Sequence, residues 1–195
     1  MTIPSAITDP TAEAYCLIAV LEHHRQQLPF ADQELARHQQ LLDELEIQRR
    51  ESDGALKAWR VALAQRWNLE VASQRLLKRI KVDLQAHYPS DDPCMRLVAL
   101  IDDGAVRTAD DLVNDLNYLV GGLGLITPPL ALFKTRIREA EQLRSQLEAA
   151  IAACRVCEAQ RRGSILGLRM ASRAYRRVVE RTRQLITTTL ARELN

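Results

Sequence analysis

Leu116-Asn-Tyr-Leu-Val-Gly-Gly-Leu-Gly-Leu-Ile-Thr-Pro-Pro-Leu-Ala-Leu-Phe133 runs for eighteen residues without a formal charge, in a chain where 27% of residues are charged. Asp115 closes it on one side and Lys134 on the other. A membrane-spanning helix needs roughly 20 predominantly apolar residues. This run falls short of that, and Gly121, Gly122, Gly124 and Pro128-Pro129 interrupt it. It reads instead as a buried bend between two helices. Gly121 or Gly122 ends the first helix, and Thr127 caps the second with Pro128 in its first turn. A membrane-inserting hairpin is the alternative reading, and helix breakers in lipid count against it.

The bend also divides the charge. Residues 1–129 carry 13 basic and 19 acidic side chains, while residues 130–195 carry 14 and 6. The total is only +2. Such asymmetry fits a nucleic-acid or membrane contact, and equally two halves that face each other. Hydrophobic residues make up 47% of the 195, enough for a sizeable core. Aromatics supply only 4%, and Leu, Ala, Arg, Gln and Glu dominate, a helix-forming mixture. No alternating run of β-branched residues bounded by turns is present. The fold class is therefore all-α: a bundle of about six helices, with two pseudo-repeated hairpins as a finer reading.

Upstream of the bend, Asp9-Pro10 opens a first helix that reaches about Gln27 and stops before Leu28-Pro29. A second helix starts near Ala31 with Leu35, Leu42 and Leu45 on its apolar stripe. Glu51-Ser52-Asp53-Gly54 is a plausible turn. Ala55 to Tyr88 is helical again, with Trp59, Leu63, Trp67 and Val71 spread over several faces. A helix apolar on more than one side belongs at the centre of a bundle, so both tryptophans are expected to be buried. Asp92-Pro93 caps a short helix that Asp103-Gly104 ends. Thr108-Ala-Asp-Asp111 starts the acidic helix leading into the bend, an approximate capping box.

Downstream, Phe133, Ala140, Leu147 and Cys154 follow a seven-residue spacing, and Leu168, Tyr175, Thr182 and Thr189 resume it beyond Gly163-Ser164 and Gly167. Both long regions keep their phase across their turns. Each is therefore either one helix of nearly sixty residues or two packed as a hairpin. Polar residues at Ser52, Arg161 and Ser164 weaken a continuous seam, and the broken form is expected. One helical domain over residues 1–195 follows, with candidate pseudo-repeat halves 9–88 and 108–193 joined by 89–107.

The chemistry-bearing residues exclude more than they assign. Cys154-Arg-Val-Cys157 places two sulfurs on one helix face, but a structural zinc site wants four ligands and no second pair exists. Buried structural cysteine is the simpler reading. Glu34 and His38 lie four apart, where a di-iron helix motif needs three and a partner motif. No phosphate-binding Gly-x-x-x-x-Gly-Lys loop occurs. No catalytic, metal or cofactor site is expected. The N-terminus lacks a secretory pattern and the four cysteines are sparse, so a cytoplasmic, reduced protein is the default.

Arginine carries the remaining signal, outnumbering lysine 23 to 4. Arg162, Arg169, Arg176 and Arg183 recur every seven residues, joined by Arg173. Heptad spacing keeps them on one nearly straight stripe, and guanidinium forks suit carboxylates and phosphates. The expected function is a non-enzymatic helical interaction protein (a scaffold, adaptor or assembly subunit), with self-association among its modes. A nucleic-acid binder using this stripe is the alternative; an enzyme or membrane-inserting protein without a recognisable motif is the third. The bland expectation is a solvated helix face flanking the seam, or internal pairing with the acidic Asp102–Asp115 region, and the internal pairing is favoured.

Overall fold

A computed structural model of the chain describes residues 10–101, 107–127 and 130–193. These form five α-helices and a 3-10 turn, with no strand among the described residues: α1 (Pro10–His23), α2 (Ala31–His87), the turn Pro93–Met95, α3 (Arg96–Ile101), α4 (Ala109–Leu125) and α5 (Ala131–Glu193). The expected Asp9 cap, the Asp103-Gly104 stop and the Pro128-Pro129 start lie outside the described residues.

The expectation of broken helices is corrected. α2 runs unbroken for 57 residues through Gly54, and α5 for 63 through Gly163 and Gly167. A glycine inside a helix costs about 1 kcal/mol relative to alanine, whereas a proline costs about 3, and neither helix contains one. None of these glycines adopts a left-handed backbone. Ser164 Oγ donates to the Arg161 carbonyl at 2.9 Å without interrupting the helix. Likewise α4 does not stop at Gly121 or Gly122. Its last buried leucine, Leu123, lies beyond them. A Cβ on Gly122 would stand 2.8 Å from Leu97 Cδ1, so the glycine admits α3 against α4.

The chain folds as two compact units, residues 1–56 with 160–195, and residues 57–159. In the first, α1 packs on the early part of α2 and the late part of α5. Ala14, Leu45, Tyr175 and Val179 form one buried cluster; Leu21, Leu28, Ala31 and Ile186 form a second. α1 ends at His23, earlier than the sequence reading placed it, and a turn through Leu28 leads into α2.

In the second unit, α4 is the third helix. Its Leu112, Leu116, Leu119 and Leu123 bury against Leu76, Leu77, Ile80 and Leu84 of α2 and Phe133, Ala140 and Leu147 of α5. Each fully buried leucine contributes about 1.5–3 kcal/mol. Thr108 and Asp111 close a complete reciprocal cap at the start of α4: Asp111 N donates to Thr108 Oγ1 at 3.2 Å, and Thr108 N to Asp111 Oδ2 at 2.9 Å. Aspartate thus serves where the motif more often has Glu or Gln.

Within each unit α2 and α5 run antiparallel. His38 meets Thr182 in the first, and Asp83 meets Arg136 in the second. The seven-residue line Phe133, Ala140, Leu147, Cys154 is buried, and so are Tyr175 and Thr182 further along. On α2 the most buried line is Ala31, His38, Leu45 and then Ser73, Ile80, not the expected Leu35 and Leu42, which are half-buried.

Two burial expectations are also corrected. Trp67 is 63% exposed and Trp59 half-buried; Val61 and Val82 of α2 are exposed as well. The apolar residues on several faces do not make this half of α2 central, because α4 covers only the side carrying Leu76, Leu77, Ile80 and Leu84. At the bend, Leu116, Leu119, Leu123, Ile126 and Phe133 are buried, but Tyr118 and Leu125 face solvent.

Candidate functional site

The arginine stripe sits on the part of α5 that belongs to the first unit. Inward residues Tyr175, Val178, Val179, Thr182 and Ile186 are buried there. Their 3–4 spacing fixes the opposite side of the helix as the outer face. That face carries Arg162, Arg169, Arg173, Arg176 and Arg183, all exposed, with Arg177 beside them. Arg162 and Arg183, at the ends of the row, each have an interacting partner. Arg169, Arg173, Arg176 and Arg177 form no ion pair or side-chain hydrogen bond among the described residues. Two large apolar side chains are interleaved with them: Leu166, 59% exposed, and Met170, 63% exposed.

Among the described residues, Arg169, Arg173 and Arg176 do not make the expected internal pairs with the acidic region. Asp110 takes Arg155 at 3.3 Å, Asp115 takes Arg107 at 3.0 Å, and Asp111 is committed to the Thr108 cap, which holds its carboxyl below the usual range. Asp102 lies outside the described residues.

On the other long helix of the same unit the outer face has the opposite sign. Inward Glu34, His38 and Leu45 are buried. Asp43, Glu44, Glu51 and Asp53 are exposed, and Ile47 stands among them 52% exposed. Glu46 is taken by Arg50 at 2.6 Å. Asp43 accepts a hydrogen bond from Gln39 Nε2 at 3.2 Å. A cleft of about 290 Å³ lined by Tyr15, Leu42, Asp43 and Arg49 opens beside this row.

Sequence reading missed a buried polar cluster in this unit. Thr182 Oγ1 donates to Glu34 Oε2 at 2.7 Å and accepts from His38 Nε2 at 3.0 Å. All three side chains are buried. The donor direction at His38 follows from Thr182 having spent its only hydrogen on the carboxylate. His38 stands edge-on to Tyr175, ring centroids 5.8 Å apart. Burial is the main cause that lowers the His38 pKa; Glu34 pulls the other way and Arg37 adds to the lowering. Burial also pushes the Tyr175 phenol up to about 12. The four-residue spacing of Glu34 and His38 was the available signal; Thr182, 144 residues from His38, could be added only by the fold. The trio pairs three buried polar side chains across α2 and α5.

The second unit holds a cleft of about 470 Å³ lined by Trp59, Leu63, Ile151 and Cys154 together with Arg66, Glu70, Asp110 and Arg155. Among its charged residues Arg66 pairs with Glu70 at 2.9 Å and Arg155 with Asp110 at 3.3 Å. Cys154 is buried and its thiol pKa raised, chiefly by that burial; Cys157 is half-buried, and all four cysteines are free. Among the described residues no group of three or more His, Cys, Asp or Glu side chains could hold a metal ion. No described helix is long and apolar enough to cross a membrane.

Comparison with protein-family models, with curated proteins and with solved structures returned no match.

Proposed function

We propose that this protein is a helical interaction protein, an assembly subunit or scaffold that works through the outer faces of its two long helices. The observation that carries this reading is the row on α5 in which Leu166 and Met170 stand exposed among four arginines that form no ion pair among the described residues. Like charges three and four residues apart on a helix repel each other. A fold that keeps them together, with large apolar side chains between, bears a cost that a partner can relieve. Exposed apolar residues rimmed by polar ones mark interaction sites. Arginine and methionine are enriched at protein interfaces.

Two finer features fit a scaffold. A short helix, a break and a long helix occur twice, as α1 with α2 and α4 with α5, in keeping with an internal duplication into two hairpins. The antiparallel, heptad-spaced pairing of α2 with α5 has the character of a coiled coil. It holds the side chains of each outer face in a fixed row. We place the protein in the cytoplasm, consistent with four free cysteines.

Paired baits test the reading. Wild-type chain and an Arg169→Glu/Arg173→Glu/Arg176→Glu variant are each immobilised and exposed to nuclease-treated native lysate. Proteins retained by the wild type and lost from the variant support it. Equal retention, or none, overturns it; retention abolished by nuclease alone assigns the row to nucleic acid instead.

A further inference from the structure

Resting on that reading, we infer that the partner of the basic α5 face is a second copy of this chain, presenting the acidic outer face of α2. Three observations carry this. First, the two faces are complementary in charge. Arg169, Arg173, Arg176 and Arg177 are exposed on one; Asp43, Glu44, Glu51 and Asp53 are exposed on the other. The arginines lie three and four residues apart and repel each other, so the basic row gains by meeting an opposite one.

Second, the apolar content matches. Ile47 is exposed in the acidic row, and Leu166 and Met170 in the basic one. A docked pair would bury all three at its centre, with charges around them, as interfaces have an apolar core and a polar rim. The rows also match in length. At 1.5 Å rise per residue, Asp43 to Asp53 spans about 15 Å and Leu166 to Arg177 about 16 Å.

Third, a net charge of only +2 sets up no long-range repulsion between copies.

The geometry also fixes the kind of assembly. α2 and α5 turn their inner faces toward each other in this unit, through His38 with Thr182 and Leu45 with Tyr175. The acidic and basic rows are therefore on opposite sides of the pair. A copy seated on the basic row leaves its own basic row open. The contact is head-to-tail, and such contacts grow into filaments or close into rings rather than stopping at a dimer.

Sedimentation velocity and light scattering on the full-length chain test this over a concentration series at low and high salt. Wild type should grow past the dimer with concentration, and salt should weaken the association by about tenfold or more. The Arg169→Glu/Arg173→Glu/Arg176→Glu variant alone should be monomeric, and so should Glu44→Arg/Glu51→Arg. Mixed in equal amounts they should associate again, because each variant brings faces opposite in charge to those of the other. Circular dichroism melts of both variants check that they fold; Arg→Gln replacements serve if reversal unfolds the chain. A wild type that stays monomeric at every concentration and low salt overturns the inference, and so does a mixture that stays monomeric. A monomeric wild type that still captures lysate proteins through the arginine row sinks self-docking alone. If it captures nothing, the interaction reading falls with it.

Discussion

Replacing Thr182 with valine removes one hydroxyl from a fully buried trio and leaves the shape of the side chain almost unchanged. The loss is doubled by the geometry. Glu34 Oε2 loses a donor at 2.7 Å and His38 Nε2 loses its acceptor at 3.0 Å. His38 Nδ1 already has no hydrogen-bond partner, so the ring would be left with none. Among the described residues Glu34 keeps only Arg181, 3.7 Å away on an exposed side chain. An unsatisfied buried polar group costs about 1–3 kcal/mol, so two groups give about 2–6 kcal/mol. That is a large share of the 5–15 kcal/mol typical of a whole domain. Urea unfolding near pH 7.5 measures it. Circular dichroism follows both units, whereas Trp59 and Trp67 both lie in the second. The Thr182→Val variant should lose its helical signal at lower urea than its tryptophan signal. A loss below about 0.5 kcal/mol would refute the claim that this trio holds the first unit together.

The same trio makes stability depend on pH. Burial holds His38 below the ordinary imidazole value of about 6.5, so the unfolded chain takes up its proton first as pH falls. Stability from this site is complete above about pH 6.5 and declines below it; His38→Gln should flatten that limb of a stability-versus-pH curve. Gly54→Ala and Gly163→Ala should each stabilise the fold by up to about 1 kcal/mol, measured by thermal melts, because a Cβ at either position meets nothing within 4 Å. Leu116→Ala should cost about 2–5 kcal/mol by denaturant titration, since it opens a cavity between α4, α2 and α5. Under a thiol reagent at pH 8, exposed Cys16 should be modified well before Cys94 and Cys154. The Cys94 thiol is pushed up to about 11 by burial, and Cys154 is raised for the same reason.

The legible parts of the sequence were those that one local rule decides. Composition and the seven-residue spacing of Phe133, Ala140 and Leu147 led to helices with the correct inner face. Thr108 and Asp111 marked a helix start because both capping hydrogen bonds are local. Helix continuity at Gly54 and Gly163 was not legible. A glycine's cost is small, and whether packing on either side outweighs it is a tertiary matter. Trp67 misled for a related reason: its burial depends on which side of α2 receives a third helix. Spacing put Arg169, Arg173 and Arg176 on one stripe but could not decide between exposure and internal pairing, because Asp110 and Asp115 had to be seen pairing with Arg155 and Arg107. The Glu34–Thr182–His38 trio joins residues too far apart in sequence for any spacing to reveal.

Central to the fold is that α2 and α5 are unbroken through Gly54 and Gly163. Amide hydrogen exchange at residues 52–56 and 161–165 tests that most directly. Continuous helices predict protection at these amides comparable to that of their helical neighbours, since every N–H donates four residues back. Exchange at the rate of open loops around Gly54 and Gly163, with protection on both sides, would show two broken helices. It would contradict the unbroken α2 and α5.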